Sequence, residues 1–400
     1  MSTQGTSPAE ERWGRRLWWW MPPALLIVAL AVLLVNNRFL SDVERPLRWR
    51  ADGRQPVVQA GVAGPLPVTG HGDLEGRLRR ALAHLVVERR DANGRTVVAS
   101  GSGLVWDTFG HVVVPAQLVG DVSRVEVILA DGKAVAATVV GADAATNVAV
   151  VRLATPAGSI APLPPTQHRE EQEQTVSVVW NMPDGSLVIQ EGRVIEVGRL
   201  LPVGAQQTGF GVSYVALPDV LKVELAEPIA GSIRGAVVVD GLGRLEGLVL
   251  PLSDHPGIVY AVPGRLMARV VDGLVRQGTY RHPWLGISGQ TITPALAQAL
   301  GLPVSSGVLV LSVFPGSPAD VAGLRGSSAL VRVNERLLYT GGDVITHVDG
   351  YPVGSVGDLI RYLVYRTQVG QQVTLTVVRE GEPVSVKVKV GTRPDVPIFD

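Results

Sequence analysis

The 400-residue chain has no cysteine, only 5% aromatic residues and no net charge, and each shortage removes a class of protein. Without thiols there is no disulfide framework, no cysteine nucleophile and no cysteine-ligated zinc, while the redox compartment stays open. Lys plus Arg equals Asp plus Glu at 36 each, with no basic block, so no electrostatic footprint for nucleic acid exists and no nucleic-acid partner is expected. The 7 histidines, His71, His84, His111, His168, His255, His282 and His347, are scattered, with no pair at helical metal-ligand spacing. No metal and no other cofactor is expected.

What the chain does have is glycine (46), proline (28) and recurring valine-rich runs, a balance that favours short strands and tight turns. At this length more than one core is expected, since single cores rarely grow past about 250 to 300 residues. One run is of another kind. LWWWMPPALLIVALAVLLV, beginning at Leu17 and ending at Val35, is uncharged over 19 residues, long enough to cross a bilayer core of about 30 Å as a helix. It ends in Asn36, Asn37 and Arg38 rather than in a small-residue cleavage site, which favours an anchor over a cleaved signal peptide. Trp18, Trp19 and Trp20 sit where an interfacial aromatic belt belongs, behind Arg12, Arg15 and Arg16. Arg38, Arg45, Arg48, Arg50 and Arg54 follow the run, so charge alone does not orient it.

Helical spacing extends over 73–87, followed by strands at 97–104, 111–114, 124–129, 134–140 and 148–153 with turn signals between them. After a polar interruption at 168–174, strands resume at 175–180, 187–197, 211–216, 235–239 and 245–250. This spacing suits two antiparallel barrels of similar size. A helical run at 264–277 leads to a third unit beginning near Arg281, with strands and two short helices.

The stretch SGSGLVWDTFGHVVVPAQLVG resembles the HtrA/Deg (DegP/DegS-like) family of trypsin-like serine proteases, in which a Gly-Ser-Gly strand, a turn and an apolar strand lead to the histidine of the triad. Gly101, Ser102, Gly103 and Gly110 match, and the histidine slot falls on Gln117. VVGADAATNVAVVRL resembles the segment that carries the orienting aspartate, and that slot holds Asn147. In PIAGSIRGAVVVDGLGRLEGLVL, which resembles the nucleophile segment, alignment on Gly231 puts Ile233 in the serine slot, and alignment on Gly243 and Gly247 puts Arg234 there. Ser232 is the one neighbouring hydroxyl. GIVYAVP (257–263) resembles the strand closing the family's second barrel, so the likeness covers roughly residues 75–275.

The substitutions bear on chemistry because a serine hydroxyl needs a base to take its proton. Imidazole titrates near neutrality and serves as that base, whereas a glutamine amide does not. Changing the orienting aspartate to asparagine costs trypsin-like enzymes about 10⁴ in turnover. No catalytic residue is therefore expected at Gln117, Asn147, Ile233 or Arg234. The rival expectation is an active endopeptidase with a non-standard triad built on Ser232. WLGIS at 284–288 resembles a PDZ carboxylate-binding loop, PGSPADVAGLRG and GGDVITHVDGYPV resemble PDZ segments of bacterial HtrA proteins, and residues 327–340 form an insert expected to be a hairpin. Trp284, Leu285, Gly286 and Ile287, with Leu359 and Leu363 on a helix beginning near Ser355, are the candidate peptide-binding residues.

The resemblance thus implies a mainly β protein: a cytoplasmic tail (1–16), transmembrane helix (17–36), linker (37–72), trypsin-like double β-barrel (73–278), PDZ domain (280–392) and tail (393–400). It implies a membrane-anchored, extracytoplasmic pseudoprotease that takes unfolded or C-terminal peptides. Active HtrA relatives and a homotrimer are the assemblies it suggests.

Overall fold

The computed structural model describes residues 72–90, 94–155, 162–166, 172–182, 184–208, 211–229, 232–251, 253, 255–333 and 336–394, all within one unit, Pro56–Asp400. The apolar run 17–35, the tail before it and the linker up to residue 71 lie outside them. Among the described residues no helix is long and apolar enough to cross a membrane.

Six strands close the first barrel: β1 (Leu82–Arg90), β2 (Thr96–Val105), β3 (His111–Pro115), β4 (Val122–Ile128), β5 (Ala134–Asp143) and β6 (Val148–Leu153). They run in the order β1-β2-β3-β6-β5-β4, with β4 returning to β1. The second barrel has the matching order β10-β11-β12-β9-β8-β7, from β7 (Thr175–Asn181), β8 (Leu187–Thr208), β9 (Gly211–Leu225), β10 (Val237–Asp240), β11 (Leu245–Val249) and β12 (Ile258–Pro263).

Strands β3 and β10 read as apolar runs because both of their faces are covered. In β3, all five residues are buried. Val112 and Val114 fill the first barrel, while Val113 joins a second core between the barrels. In β10, Val238 fills the second barrel and Val237 and Val239 face the same inter-barrel core. Side chains alternate along a strand, so two buried faces require apolar residues at consecutive positions. Each such side chain contributes about 1.5–3 kcal/mol when fully buried.

A short helix, α1 (Gly72–Ala81), enters the first barrel. The helical spacing expected over 73–87 ends at Ala81, and Leu82 onward is strand β1. LAHLVV fits either period locally, and what decides it is the backbone pairing on both sides, to β2 and to β4, that closure demands. Beyond the second barrel, α2 (Gly264–Gln277) buries Leu266, Met267, Val270, Val271 and Leu274. It ends at Gly278, whose φ of 72° permits the left-handed cap that bonds to the Leu274 carbonyl.

The third unit has a sheet in the order β14-β15-β18-β20-β21, with β19 on β18. The strands are β13 (Pro283–Trp284), β14 (Ile287–Ile292), β15 (Gly307–Val313), β16 (Ala329–Val333), β17 (Arg336–Thr340), β18 (Val344–Val348), β19 (Tyr351–Pro352), β20 (Gln372–Arg379), β21 (Glu382–Lys389) and β22 (Gly391–Thr392). The helices are α3 (Pro294–Leu300), α4 (Pro318–Val321) and α5 (Val356–Arg366). The expected insert is the hairpin β16–β17. Thr293, Ser317 and Ser355 cap the three helices, each accepting a backbone N–H from the first turn.

Helix α5 faces two ways. Leu359 and Leu363 belong to the core of the third unit, whereas Val364, Ile360 and Tyr365 pack on the inter-barrel core. A buried carboxylate fixes this docking. Asp219 on β9 accepts from Arg265 of α2 and Arg361 of α5, both at 2.6 Å.

Candidate active site and peptide groove

Three chain segments gather around the Gly101–Ser102 corner of β2, two packing on Gly101 and one hydrogen-bonded to the first of these. The first is the 3-10 turn Ala116–Leu118 that follows β3 and carries Gln117. The second is the β5–β6 turn, where Asn147 takes a left-handed φ of 54°, a conformation asparagine tolerates better than most residues. The third is the turn 232–236 leading into β10; Gly231 lies outside the described residues.

Asn147 binds the first segment twice. Its carbonyl accepts from Ala116 N at 3.0 Å, and its side-chain Oδ1 accepts from Gln117 N at 3.1 Å. The third segment is held by Ser102 N, which donates to the Arg234 carbonyl at 2.7 Å, and by Gly235, whose φ is 79°. A side chain on Gly101 would meet Leu118 Cδ1 at 2.7 Å and the Arg234 oxygen at 2.8 Å, so both turns rest on this glycine. Ser102 Oγ accepts from Asn181 N at 2.8 Å, tying the corner to the second barrel. The three slots read from the sequence are thus brought together, Gln117 and Asn147 in direct contact.

The side chains gathered here are amides, an alkyl group and a guanidinium. Asn147 is 1% exposed, and its Nδ2 has no hydrogen-bond partner. Ile233 packs with Ile229 on the core of the second barrel, while Ser232 and Arg234 are exposed. Among the described residues no imidazole is hydrogen-bonded to Gln117, Asn147 or the 232–236 turn. His111 pairs with Asp107 at 2.6 Å, but it begins β3 while Gln117 lies beyond its end, a separation of about 17–20 Å at the usual rise per residue. Asp107 also accepts from the N–H groups of Phe109 and His111, so the pair braces a turn. His84 lies opposite Ser102 in register, and burial lowers its pKa, keeping it neutral at pH 7. Ser102 itself is buried and gives a substrate no access.

The turn bearing Asn147 is also tied to the linker before the third unit. Asp143 accepts from Thr146 N at 3.1 Å and Thr146 Oγ1 at 2.5 Å, and its other oxygen lies 2.8 Å from His282 Nε2. Burial alone would raise the Asp143 pKa; the hydrogen bond and charge of His282, with Thr146 and Arg393, outweigh it and hold the carboxyl below its ordinary value. A depressed folded value stabilises above the unfolded carboxylate pKa of about 4 and loses that contribution as pH falls through the folded value. His282→Ala is therefore expected to lower the thermal midpoint at pH 7, and the gap from the parent chain should close as the pH drops below about 4. A gap of equal size at pH 7 and pH 2.5 would contradict this assignment.

In the third unit, Gly286 has a φ of 86°, and its carbonyl accepts from Phe314 N at 2.9 Å and Ser317 Oγ at 3.1 Å. A methyl group at this glycine would overlap the Ser317 side chain. Among the described residues the N–H groups of Leu285 and Gly286 have no acceptor. Strand β14 pairs only with β15, which leaves its other edge beside α5, where Val356 N donates to Thr291 Oγ1 at 3.1 Å. Trp284 packs against Phe314, and Ile287 is half-buried. Leu285, Leu359 and Leu363, named above among the candidate peptide-binding residues, are buried beside Val308, Val310 and Val373. Asp219, Arg265 and Arg361 escaped the sequence reading, for three residues so far apart in the chain leave no local pattern.

Two closed six-stranded barrels meeting at such a corner, followed by an edge-stranded sheet with its glycine loop, define a trypsin-like peptidase fold joined to a PDZ domain. Residues 94–248 match the trypsin-like peptidase domain and residues 283–390 the PDZ domain. The chain is 30% identical over 305 residues to Protease Do-like 1, chloroplastic, of Arabidopsis thaliana, covering 74% of this chain and 64% of that protein. It is 28% identical over 299 residues to a probable periplasmic serine endoprotease, DegP-like, of Rhizobium meliloti, covering 74% and 54%. The chain thus spans under two thirds of the length of these relatives. The solved HtrA-type protease AlgW with a decapeptide shares the fold, with a TM-score of 0.62 at 22% identity over 82% of this chain and 99% of that one. Across both domains the chain is similar to HtrA-type proteases.

Proposed function

We propose that this chain is an HtrA-family pseudoprotease, anchored in the cell membrane through Leu17 to Val35 with its large C-terminal part outside the cytoplasm. Its PDZ groove takes unfolded or C-terminal peptides, and it acts as a scaffold or regulator in envelope protein quality control, as a homotrimer or beside an active relative. The carrying observation is the corner where Gln117, Asn147 and the turn with Ile233 and Arg234 converge on Ser102 without a base or an activated nucleophile. The DegP-like relative named periplasmic supports the location. The decapeptide carried by AlgW supports the ligand class.

The second reading, an active endopeptidase, has its own support: Ser232 is exposed in the correct turn, and the curated relatives are named as proteases. Labelling of the full-length chain with a fluorophosphonate separates the two. No adduct is expected, whereas an adduct lost in Ser232→Ala would establish the second reading.

The groove makes its own prediction. Backbone N–H groups at Leu285 and Gly286 form a nest for a terminal carboxylate, and the edge of β14 adds the peptide as a strand. Peptides ending in a free carboxylate are expected to bind at least tenfold more tightly than their C-terminal amides, and Gly286→Ala should abolish the difference. Equal affinity for acid and amide would contradict the groove assignment.

A further inference from the structure

The convergent corner holds three donors and no acceptor that uses them. Asn147 Nδ2 is buried and unpartnered, although a buried amide N–H without an acceptor carries the full cost of its lost hydration. Its direction follows from the other end of the same carboxamide. Oδ1 is fixed on Gln117 N, so Nδ2, one bond angle away, is within a side chain's reach of Gln117. Neither the Gln117 carboxamide nor the Arg234 guanidinium has a partner among the described residues. Arg234 starts from the same place: its Cβ and Leu118 Cδ1 lie 3.2 Å and 2.7 Å from the point a Gly101 side chain would occupy. Ile233 packs on the second barrel's core, whereas Arg234 beside it is exposed.

We propose that the cleft between the barrels is a binding site for a carboxylate on an extended peptide, an acidic side chain within the chain rather than its C-terminus. Arg234 supplies the charge. Gln117 takes the Asn147 Nδ2–H on its Oε1 and thereby turns its own NH₂ toward the ligand, so Gln117 and Arg234 grip the two carboxylate oxygens, with Asn147 as the positioning residue. Charge-assisted bonds of this kind are about twice as strong as neutral ones, and the site would take a carboxylate in preference to an amide of the same shape. The inference rests on the non-catalytic reading above, since a bound ligand must survive in the cleft.

The test uses the full-length chain and an N-acetylated, C-amidated octapeptide with one central glutamate, beside the same peptide with glutamine. Blocking the C-terminus removes the carboxylate that the PDZ nest would hold. Tighter binding of the glutamate peptide by tenfold or more is expected. That preference should be lost in Arg234→Ala and in Asn147→Asp. The latter keeps Oδ1 for the Gln117 N–H, and so the turn, while replacing the buried donor with an anion. Unchanged binding of a free-carboxylate peptide to the PDZ groove shows that both variants are folded. Equal affinity for the glutamate and glutamine peptides, no binding of either, or a preference that survives both substitutions would overturn the carboxylate site. Cleavage of either peptide, read by mass spectrometry in the same samples, would instead overturn the non-catalytic reading.

Discussion

Asp219→Ala is expected to destabilise the chain by about 3–5 kcal/mol, the usual cost of breaking a buried ion pair by removing one partner. The carboxylate is 2% exposed and receives Arg265 and Arg361 at 2.6 Å each, from two helices that reach it from different domains. Both guanidiniums are about three-quarters buried and would lose their shared counter-ion. Asp358 at 2.7 Å from Arg361 and the Tyr365 ring under Arg265 soften the loss, which points to the lower end of the range. Asp219 also has a φ of 57°, which aspartate tolerates better than alanine, so Asp219→Asn separates charge from backbone. Most of the loss should persist in the asparagine variant. Urea midpoints of the three proteins, with hydrogen exchange in α5 as a local reporter, measure it. A change below about 0.5 kcal/mol in Asp219→Ala, the size of an ordinary surface substitution, would contradict the clamp.

Gly235→Ala carries the second large effect, about 2–5 kcal/mol of lost stability. A methyl group there would overlap the carbonyl oxygen of Ser102, and the φ of 79° strains any residue with a side chain. Left-handed strain accounts for about 1–2 kcal/mol and overpacking against backbone, which cannot rotate away, for about 1–3. The expected readout is a lowered thermal midpoint with Ser102 N newly exposed to exchange; a midpoint within error of the parent's would contradict the packing described. The geometry says something about the fold as well. The turn keeps the glycine that seats it on β2, while Ser232 and Arg234 beside it are exposed.

Much of this was legible beforehand because valine-rich strands and glycine turns are local signals. The spacing of 30 residues between Gln117 and Asn147 became a contact between the two, and the PGSPADV segment became α4. What stayed hidden was non-local. LAHLVV reads as helix until barrel closure demands a strand between β2 and β4. The β8–β9 hairpin read as two short strands because Gly198, Pro202 and Gly204 look like breakers; bulges in its register absorb them. The Asp143–His282 and Asp219–Arg361 bonds join residues 139 and 142 positions apart and leave no pattern in either neighbourhood. Leu359 and Leu363 fit a groove or a core equally well by spacing, and in the fold they are buried against the sheet.

The most direct test of the central claim is hydrolysis of an unfolded casein-type substrate by the full-length chain, run beside Ser232→Ala. The account predicts no turnover above background in either protein, since the corner offers no base for a hydroxyl and no activated nucleophile. Turnover in the parent chain that disappears in Ser232→Ala would contradict it, and would mark Ser232 as the nucleophile of an active peptidase.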